Sequence, residues 1–172
     1  MSQRRVFVAM SGGVDSAGAA LLLLQAGFDV TGVTLRLHTY QDRPGLCGSE
    51  DEIETARKVA ASLGIPHVVL DLCDLFRAKV MDRFVAEYTR GRTPNPCIDC
   101  NREIKFGALL DWALEQGADA IATGHYARIQ RDVASGNWKL LRGRDHRKDQ
   151  SYVLYQLPQR QLGHLLLPVG EY

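Results

Sequence analysis

The chain contains no run of about 18 apolar residues, the length that a membrane-spanning helix requires. Its beginning also lacks the layout of a secretory signal peptide, because Arg4 and Arg5 lead directly into a strand-like segment. No internal repeat, low-complexity tract or linker-like segment divides the 172 residues. These absences predict a cytoplasmic protein that has no membrane partner and folds as one domain.

A strong charge of either sign is also missing. The 21 basic and 20 acidic residues leave a formal net charge of +1, so the composition neither requires nor excludes a nucleic-acid partner. Any contact with RNA must therefore come from a local patch. Hydrophobic residues make up 45% of the chain, which is ordinary for a globular protein with a core.

Cysteine is scarce, since the chain has only Cys47, Cys73, Cys97 and Cys100. In a reducing compartment such residues are thiols, metal ligands or catalytic groups rather than a disulfide framework. Cys97 and Cys100 form a C-x-x-C pair. A zinc site at this pair would need two further ligands, which Cys47 or Cys73 would supply only if the fold brings them near.

Strand-like and helix-like segments alternate through the first two thirds of the sequence. Buried-strand patterns occur at residues 6–10, 30–37, 67–70 and 118–123, and helical patterns at residues 16–26, 51–63, 75–89 and 104–116. This β-α-β rhythm predicts an α/β fold, a parallel twisted sheet with helices on both faces. Ligands bind at the carboxyl ends of the strands in such sheets, where the segments after Met10 and Ala122 both fall.

Shorter signals complete the predicted organisation. The polar, proline-containing stretch at residues 38–49 reads as a mobile loop. After His125, strand-like segments at residues 127–129 and 138–141 flank a polar turn and predict a hairpin. Left-handed helix caps are expected at the glycines that follow helical patterns, Gly27, Gly64 and Gly117.

The segment AMSGGVDS at residues 9–16 joins the first strand to the first helix. Its two glycines permit a tight turn, in which free backbone N–H groups and the positive helix end point at one spot and suit a phosphate. Ser11 and Ser16 add hydroxyl donors. The carboxylate of Asp15 would repel a phosphate unless it binds a cation or orients other groups, so a metal-bridged nucleotide reconciles the two features.

This glycine loop lacks the Gly-Lys-Ser/Thr ending of a Walker loop and the spaced glycines of a dinucleotide fingerprint. It resembles the Ser-Gly-Gly-x-Asp-Ser loop of the PP-loop ATP pyrophosphatases, which split ATP between the α and β phosphates. That resemblance implies the adenine nucleotide alpha hydrolase-like, Rossmann-like PP-loop fold. The competing interpretation is a glycine turn that only joins a strand to a helix.

Residues 91–101 contain two prolines and the C-x-x-C pair, and we interpret them as a shaped loop before a helix that contains Lys105. A thiol near a helix start and basic residues ionises more readily. Thiolate chemistry at Cys100 or Cys97 is therefore one interpretation. Half of a zinc site, a redox pair and cysteines that only pack are the others.

Three further segments make the family resemblance specific. They read GRTPNP at residues 91–96 with Lys105-Phe106 after it, ATGHY at residues 122–126, and LRG with KDQSY at residues 141–143 and 148–152. In order and spacing they are similar to the tRNA-specific 2-thiouridylases, the PP-loop enzymes that replace the 2-oxygen of the wobble uridine by sulfur. The resemblance runs from about Arg5 to the segment LPVGE at residues 167–171.

The resemblance implies roles for the residues at matching positions. It implies that ATP binds Ala9, Met10, Ser11, Gly12, Gly13, Val14, Asp15, Ser16, Leu35 and Gly124. It implies that the target base and tRNA contact Asn95, Pro96, Cys97, His125, Lys148, Asp149 and Gln150. Cys100 is implied as the nucleophile, and Asp15 as a second catalytic residue. Without the resemblance, Leu35 reads as core, His125 as a satisfied histidine and Lys148 as a solvated lysine.

The resemblance also implies a reaction and its partners. ATP would convert the C2 oxygen of uridine into an adenylate with release of pyrophosphate, and AMP would leave when sulfur attacks. Loop donors with Mg²⁺ would stabilise the departing pyrophosphate. The sulfur would come as a cysteine persulfide from a cysteine desulfurase or a sulfur relay protein. The alternatives are another PP-loop adenylating enzyme and a nucleotide- or metal-binding fragment without turnover.

The sequence departs from that family in two respects. The segment with the family's second catalytic cysteine and the central and C-terminal β domains are absent, so we expect residues 1–172 to be a truncated PP-loop catalytic domain. Many members carry aspartate where this chain has Cys97. With a third thiol, Cys97 and Cys100 would suffice to hold an iron–sulfur cluster that binds sulfide, and Cys100 would then be a ligand. We favour the persulfide route.

Overall fold

The computed structural model describes residues 3–38 and 48–172, which contain a parallel sheet of five strands. The strands are β1 Arg5–Ala9, β2 Asp29–Arg36, β3 His67–Asp71, β4 Ala120–Ala122 and β7 Leu165–Leu166. They lie in the order β3-β2-β1-β4-β7. Val6 of β1 lies opposite Val30 of β2 and Ala120 of β4. The predicted parallel α/β sheet is confirmed.

Helices cover both faces of this sheet, as the sequence predicted. They are α1 Val14–Gln25, α2 Glu50–Leu63, α3 Cys73–Phe76, α4 Asp82–Thr89, α5 Pro96–Asp99, α6 Leu109–Glu115 and α7 Gln159–Gly163, with π-helical segments at Arg77–Met81 and Cys100–Ala108 and 3₁₀ turns at Ser151–Val153 and Pro168–Glu171. Alternation along β1 separates two cores. Val6 and Val8 pack in one core with residues of α1 and α2, whereas Phe7 packs in the other with residues of α6 and Cys100–Ala108.

The segment at residues 91–101 differs from its prediction as a loop. From Pro96 onward the chain is helical and continues through Cys100–Ala108 into α6. The cause is a local cap, because the side chain of Asn95 accepts a hydrogen bond from the backbone N–H of Cys97 at 3.0 Å and Pro96 takes the first helical position. The helix expected at residues 104–116 therefore starts at Pro96.

The smaller predicted features are largely confirmed. Strands β5 Ala127–Arg131 and β6 Trp138–Arg142 form the expected antiparallel hairpin. The three predicted glycine caps have φ angles of 83°, 69° and 80° at Gly27, Gly64 and Gly117. Strand β7 is an addition that no sequence pattern indicated. It pairs with β4 through two residues and completes one edge of the sheet.

No helix within residues 3–38 and 48–172 has both the length and the apolar character needed to cross a bilayer. The mobile loop predicted at residues 38–49 lies mostly outside the described residues, and so does Cys47.

Candidate active site

A cleft of about 230 Å³ opens at the carboxyl ends of β1, β2 and β4. This is the edge at which ligands bind in parallel α/β sheets. Lys105 contributes to the wall from the π-helical segment, and Glu52 contributes from α2. Nine of the site residues named from the sequence line the cleft: Ala9, Met10, Ser11, Asp15, Ser16, Leu35, Gly124, His125 and Gln150.

Ser16 holds the glycine loop together from inside. Its hydroxyl donates a hydrogen bond to the carbonyl of Gly13 at 2.9 Å and accepts one from the backbone N–H of Ser11 at 3.3 Å. The side chain is buried. One hydroxyl thus satisfies two backbone groups, so Ser16 has a structural role in the loop that the sequence did not indicate.

Gly12 and the start of α1 leave the loop open to a ligand. Gly12 has a φ of 77°, and a Cβ there would lie 3.0 Å from the carbonyl oxygen of Glu52. Among the described residues no side chain caps α1, and Val14 at its first position is 81% exposed. The N–H groups of the first turn and the positive helix end therefore remain available to an anion.

Gly124 brings the segment after β4 against the start of α1. A Cβ on Gly124 would lie 2.6 Å from the carbonyl carbon of Asp15 and 2.7 Å from the backbone nitrogen of Ser16. Since real Cβ atoms do not approach backbone atoms this closely, the position requires glycine. Two separate segments of the chain thereby form one wall of the cleft.

His125 is a neutral histidine beside the positively charged side chain of Lys105. Burial, followed by the positive charge of Lys105, lowers the pKa of His125 to about 3. Its Nδ1 lies 2.7 Å from Oγ1 of Thr123, and its ring packs against Phe106 with centroids 5.8 Å apart. The imidazole therefore offers hydrogen bonds without charge near neutral pH, and Lys105 supplies the positive charge in this wall.

Thr34 and His67 form a polar pair near the end of β2 that no sequence motif indicated. The hydroxyl of Thr34 donates to the carbonyl of Met10 at 2.8 Å, and Nε2 of His67 lies 2.8 Å from the same hydroxyl oxygen. Because the hydroxyl has one proton, Nε2 carries the proton that it shares with Thr34. Burial, followed by the charge of Arg57, lowers the pKa of His67. The pair fixes the glycine loop to β2.

Tyr126, in the segment between β4 and β5, holds the side chain of Asp15. Its hydroxyl donates to Oδ1 of Asp15 at 2.8 Å, and this hydrogen bond raises the pKa of Tyr126. The Nζ atom of Lys148 lies 5.0 Å from the centre of the Tyr126 ring. Asp15 and Tyr126 are 111 residues apart, so no local pattern could have revealed the contact.

Asp149 is hydrogen-bonded within its own segment. Its Oδ1 accepts from the backbone N–H groups of Gly143 at 2.9 Å and Ser151 at 3.3 Å, and its Oδ2 accepts from the Ser151 hydroxyl at 2.8 Å. Burial opposes the effect, but these hydrogen bonds hold the pKa of Asp149 below its usual value. The carboxylate shapes the segment that carries the exposed Lys148, and a contact of Asp149 with tRNA stays a prediction.

Cys97 and Cys100 lie in the first turns of the capped helix, outside the lining of the cleft. Cys97 is exposed, whereas Cys100 is half-buried against the core. Between them, Oδ1 of Asp99 lies 3.3 Å from a guanidinium nitrogen of Arg83 and 3.4 Å from one of Arg102. This pairing anchors the turn that carries both thiols.

The π-helical segment Cys100–Ala108 connects the thiols with the cleft. Cys100 begins it and Lys105, five residues later, lines the cleft. At the ordinary helical rise the two residues are separated by about 8 Å along the axis. Wide helical turns of this kind are rare and occur frequently at functional sites. The thiol and the cation thus share one rigid element.

Metal ligation has little support in the described part of the chain. Residues 3–38 and 48–172 contain no group of three or more His, Cys, Asp or Glu side chains that could hold a metal ion. Burial, followed by a hydrogen bond with Asp71, raises the pKa of Cys73 to about 11, so this thiol is protonated. Cys47 lies outside the described residues. Cluster ligation by Cys97 and Cys100 stays a prediction.

Comparison with known proteins finds relatives that match nearly the whole chain. A family profile described as the tRNA methyl transferase HUP domain matches residues 4–172. The tRNA-specific 2-thiouridylase MnmA of Clostridium perfringens is 49% identical over 176 residues, which are 100% of this chain and 48% of that protein. The enzyme of the same name from Moorella thermoacetica is 55% identical over 170 residues, 96% of this chain and 47% of that protein.

The chain therefore spans about half the length of these curated relatives. Among solved structures, a predicted subunit of tRNA methyltransferase from Methanocaldococcus jannaschii has a TM-score of 0.55 at 19% identity. The match covers 98% of this chain and 69% of that one. At this identity the similarity concerns the fold alone, and it agrees with the predicted Rossmann-like arrangement.

Proposed function

This chain belongs to the tRNA methyl transferase HUP domain family, and on that premise we propose that it performs the ATP-dependent 2-thiolation of a wobble uridine in tRNA. The resemblance to the 2-thiouridylases is confirmed by the identity with two of them. Because the chain matches 48% of the first relative, the activity, the tRNA partner and a cytoplasmic location are all parts of the proposal. So is the assignment of residues 1–172 as a PP-loop catalytic domain.

The observation that carries the proposal is the open glycine loop in the cleft. The first N–H groups of α1 are free of side-chain caps within the described residues, and Lys105 adds a positive charge to the wall. This combination suits the phosphates of ATP. The adenosine would then lie along Leu35 and Gly124, where the missing Cβ keeps the wall close to α1.

Asp15 fits a cation that accompanies the nucleotide. A carboxylate beside a phosphate-binding loop is unfavourable alone, but it becomes a ligand when a divalent cation lies between it and the phosphates. Tyr126 engages Oδ1, which leaves Oδ2 for the cation. Mg²⁺ held there would neutralise charge on the leaving pyrophosphate.

In the first proposed step the C2 oxygen of the uridine attacks the α phosphorus of ATP. The bond from that phosphorus to the bridging oxygen breaks, and pyrophosphate leaves. The loop N–H groups and Lys105 stabilise the charge that develops on the leaving group. Because His125 is neutral, it would offer the RNA a hydrogen bond without adding a second positive charge beside Lys105. Such a charge would draw the phosphates of ATP away from the glycine loop.

In the second step the terminal sulfur of a donor's persulfide attacks C2, and AMP leaves with the former uridine oxygen. The thiolate of Cys100 then attacks the donor's inner sulfur. The sulfur–sulfur bond breaks, 2-thiouridine is released, and a disulfide between donor and Cys100 remains. We propose Asn95, Pro96 and Cys97 as contacts of the target base, since they form the exposed start of the helix that carries Cys100.

Two other functions compete with sulfur transfer, namely methyl transfer to tRNA and nucleotide binding without turnover. The family description and the archaeal structure are named for methyl transfer, which uses an activated methyl group and forms no AMP from ATP. A nucleotide-binding fragment without turnover would bind ATP and leave it intact. The exposed Cys97 and half-buried Cys100 on the element that carries Lys105 favour sulfur transfer over both.

The test is the fate of labelled ATP incubated with the chain, Mg²⁺ and unmodified tRNA, with and without a persulfide donor. We expect AMP and pyrophosphate to form only when tRNA is present, and 2-thiouridine to form only when the donor is added as well. Intact ATP under all conditions would contradict the proposal. Methylated tRNA after addition of a methyl donor would support the other activity.

A further inference from the structure

Tyr126 lies between the glycine loop and the segment that carries Lys148, and in the proposed reaction it does no more than hold Oδ1 of Asp15. Its hydroxyl donates to Oδ1 of Asp15 at 2.8 Å. The ammonium group of Lys148 lies 5.0 Å from the centre of its ring and also interacts with the hydroxyl. One side chain therefore contacts a residue of the glycine loop and a residue of the segment proposed to meet tRNA.

The backbone of Tyr126 is tied to that segment. Its N–H donates to Oε1 of Gln150 at 3.0 Å, and its carbonyl accepts from the backbone N–H of Gln150 at 2.8 Å. A Cβ on Gly143 would lie 3.0 Å from the same carbonyl oxygen. The segment from Gly143 to Gln150 therefore moves together with Tyr126.

The segment at residues 124–126 also packs closely against the start of α1. Gly124 lies so close to α1 that a Cβ would fall 2.6 Å from the carbonyl carbon of Asp15. A displacement of residues 124–126 is therefore passed to the start of α1 and to the carboxylate of Asp15. The hydrogen bond from Tyr126 also limits how that carboxylate can rotate, because one of its oxygens must keep the hydroxyl partner.

RNA bound at Lys148 acts on Asp15 through this connection. The ammonium group of Lys148 lies over the ring of Tyr126 and interacts with its hydroxyl, the group that also holds Asp15. An RNA phosphate that pairs with Lys148 fixes this segment, and with it the orientation of the Asp15 carboxylate. Mg²⁺-ATP then meets a carboxylate that is already oriented, so less conformational freedom is lost on binding and Mg²⁺-ATP binds more strongly.

We propose that Tyr126 is a positioning residue that couples RNA binding at Lys148 to the binding of Mg²⁺-ATP at Asp15. The inference rests on the proposed function, because it takes ATP and tRNA as the two ligands. Coupling between binding sites is reciprocal. Mg²⁺-ATP must therefore raise the affinity for tRNA by the same factor as tRNA raises the affinity for Mg²⁺-ATP.

The test measures the equilibrium affinity for Mg²⁺-ATP with and without unmodified tRNA by calorimetry on the full chain. In the wild type we expect tRNA to raise this affinity about tenfold, within the usual range of coupling between sites. Tyr126→Phe keeps the ring beneath the ammonium group of Lys148 but removes the hydroxyl with which Asp15 and Lys148 both interact. In this variant the effect of tRNA should fall below about twofold, and more Mg²⁺ should be needed for ATP to bind.

Tyr155→Phe is the matched control. Tyr155 is exposed and its hydroxyl accepts a hydrogen bond from Gln156 at 2.9 Å, so the variant loses one hydroxyl contact that does not involve Asp15. It should keep the full effect of tRNA. A purely structural role of Tyr126 would weaken ATP binding equally with and without tRNA and leave the ratio unchanged.

Each outcome decides the inference. An unchanged ratio in Tyr126→Phe overturns it, and so does a wild-type affinity for Mg²⁺-ATP that tRNA does not alter. Either result leaves ATP binding, and with it the proposed function, intact. A wild-type chain that binds no ATP overturns the proposed function and the inference together.

Discussion

The glycine loop and the cysteine-bearing helix are organised very differently. Hydrogen bonds of the Ser16 hydroxyl hold the loop together, and Gly124 packs directly against its backbone. The hydroxyl of Tyr126 holds the side chain of Asp15. The helix presents an exposed Cys97 at its start, and within the described residues no metal-binding group surrounds it. The glycine loop is thus preorganised, whereas under the proposed function the thiol region needs a sulfur donor that approaches it. We therefore expect substitutions to separate ATP binding from sulfur transfer.

The largest separation should come from Cys100→Ser. A hydroxyl is a far weaker nucleophile than a thiolate toward a disulfide sulfur, so 2-thiouridine formation should be abolished. The affinity for ATP should stay within about twofold, because the thiol lies outside the cleft lining. Nucleoside analysis of tRNA and calorimetry with ATP measure the two properties. Cys73→Ser is the control, and loss of sulfur transfer in that variant would remove the special role of Cys100.

Gly124→Ala should damage the opposite region. Its new methyl group would meet backbone atoms of Asp15 and Ser16 at 2.6–2.9 Å, which overpacks the wall. We expect a loss of about 2–3 kcal/mol in stability and of at least about tenfold in ATP affinity.

Gly18→Ala is its matched control in α1. A Cβ there meets only Val169 at 4.0 Å, so helix propensity should raise the stability by about 0.5–1 kcal/mol. Thermal unfolding and ATP titration distinguish the two variants. Equal effects at Gly124 and Gly18 would show that the close approach at Gly124 does not matter.

Ser16→Ala tests the internal hydrogen bonds of the loop. It leaves the carbonyl of Gly13 and the N–H of Ser11 without the hydroxyl, so we expect a loss of about 1–2 kcal/mol in stability. ATP affinity should fall by about fivefold, since the loop loses its fixed shape. Ser62→Ala removes a comparable hydroxyl contact to Val59 on the exposed side of α2. If that variant weakened ATP binding as much, the loop geometry would not be the cause.

The smallest effect should be an altered pH dependence in His125→Asn. Because burial lowers the pKa of His125 to about 3 from an ordinary 6.5, the folded protein binds fewer protons than the unfolded chain between these values. Its contribution therefore reduces the stability as the pH falls from 6.5 toward 3, by up to about 1.4 kcal/mol per pH unit. The variant should lose less stability between pH 6.5 and 5.5.

Urea titrations over this pH range measure that change. His146→Asn, at an exposed position, is the control and should follow the wild type. An unchanged pH dependence in His125→Asn would contradict the burial of a neutral imidazole in the wall of the cleft.

Those features of the fold that depend on neighbouring residues could be predicted from the sequence. The strand and helix alternation follows from local periodicity, and the caps at Gly27, Gly64 and Gly117 follow from the need for a positive φ. The glycine loop can be predicted because strand, turn and helix are contiguous in the sequence. Its position at the carboxyl edge of the sheet then follows from the parallel arrangement.

The remaining features depend on contacts between distant segments. Tyr126 reaches Asp15 across 111 residues, and His67 reaches Thr34 across 33. Neither contact can be seen in the pattern of neighbouring residues in the sequence. The prolines at residues 94 and 96 favour a loop in the sequence, whereas in the structure Pro96 with the cap at Asn95 starts a helix. Strand β7 has two residues and exists only because β4 offers it a partner.

The most direct test of the account is a crystal structure of the chain with Mg²⁺ and a non-hydrolysable ATP analogue. The account predicts that the phosphates contact the backbone N–H groups of residues 11–16, with Lys105 beside them and the cation at Asp15. Phosphates bound elsewhere, with the glycine loop and Gly124 free of the nucleotide, would contradict the central claim that this loop is the phosphate-binding site.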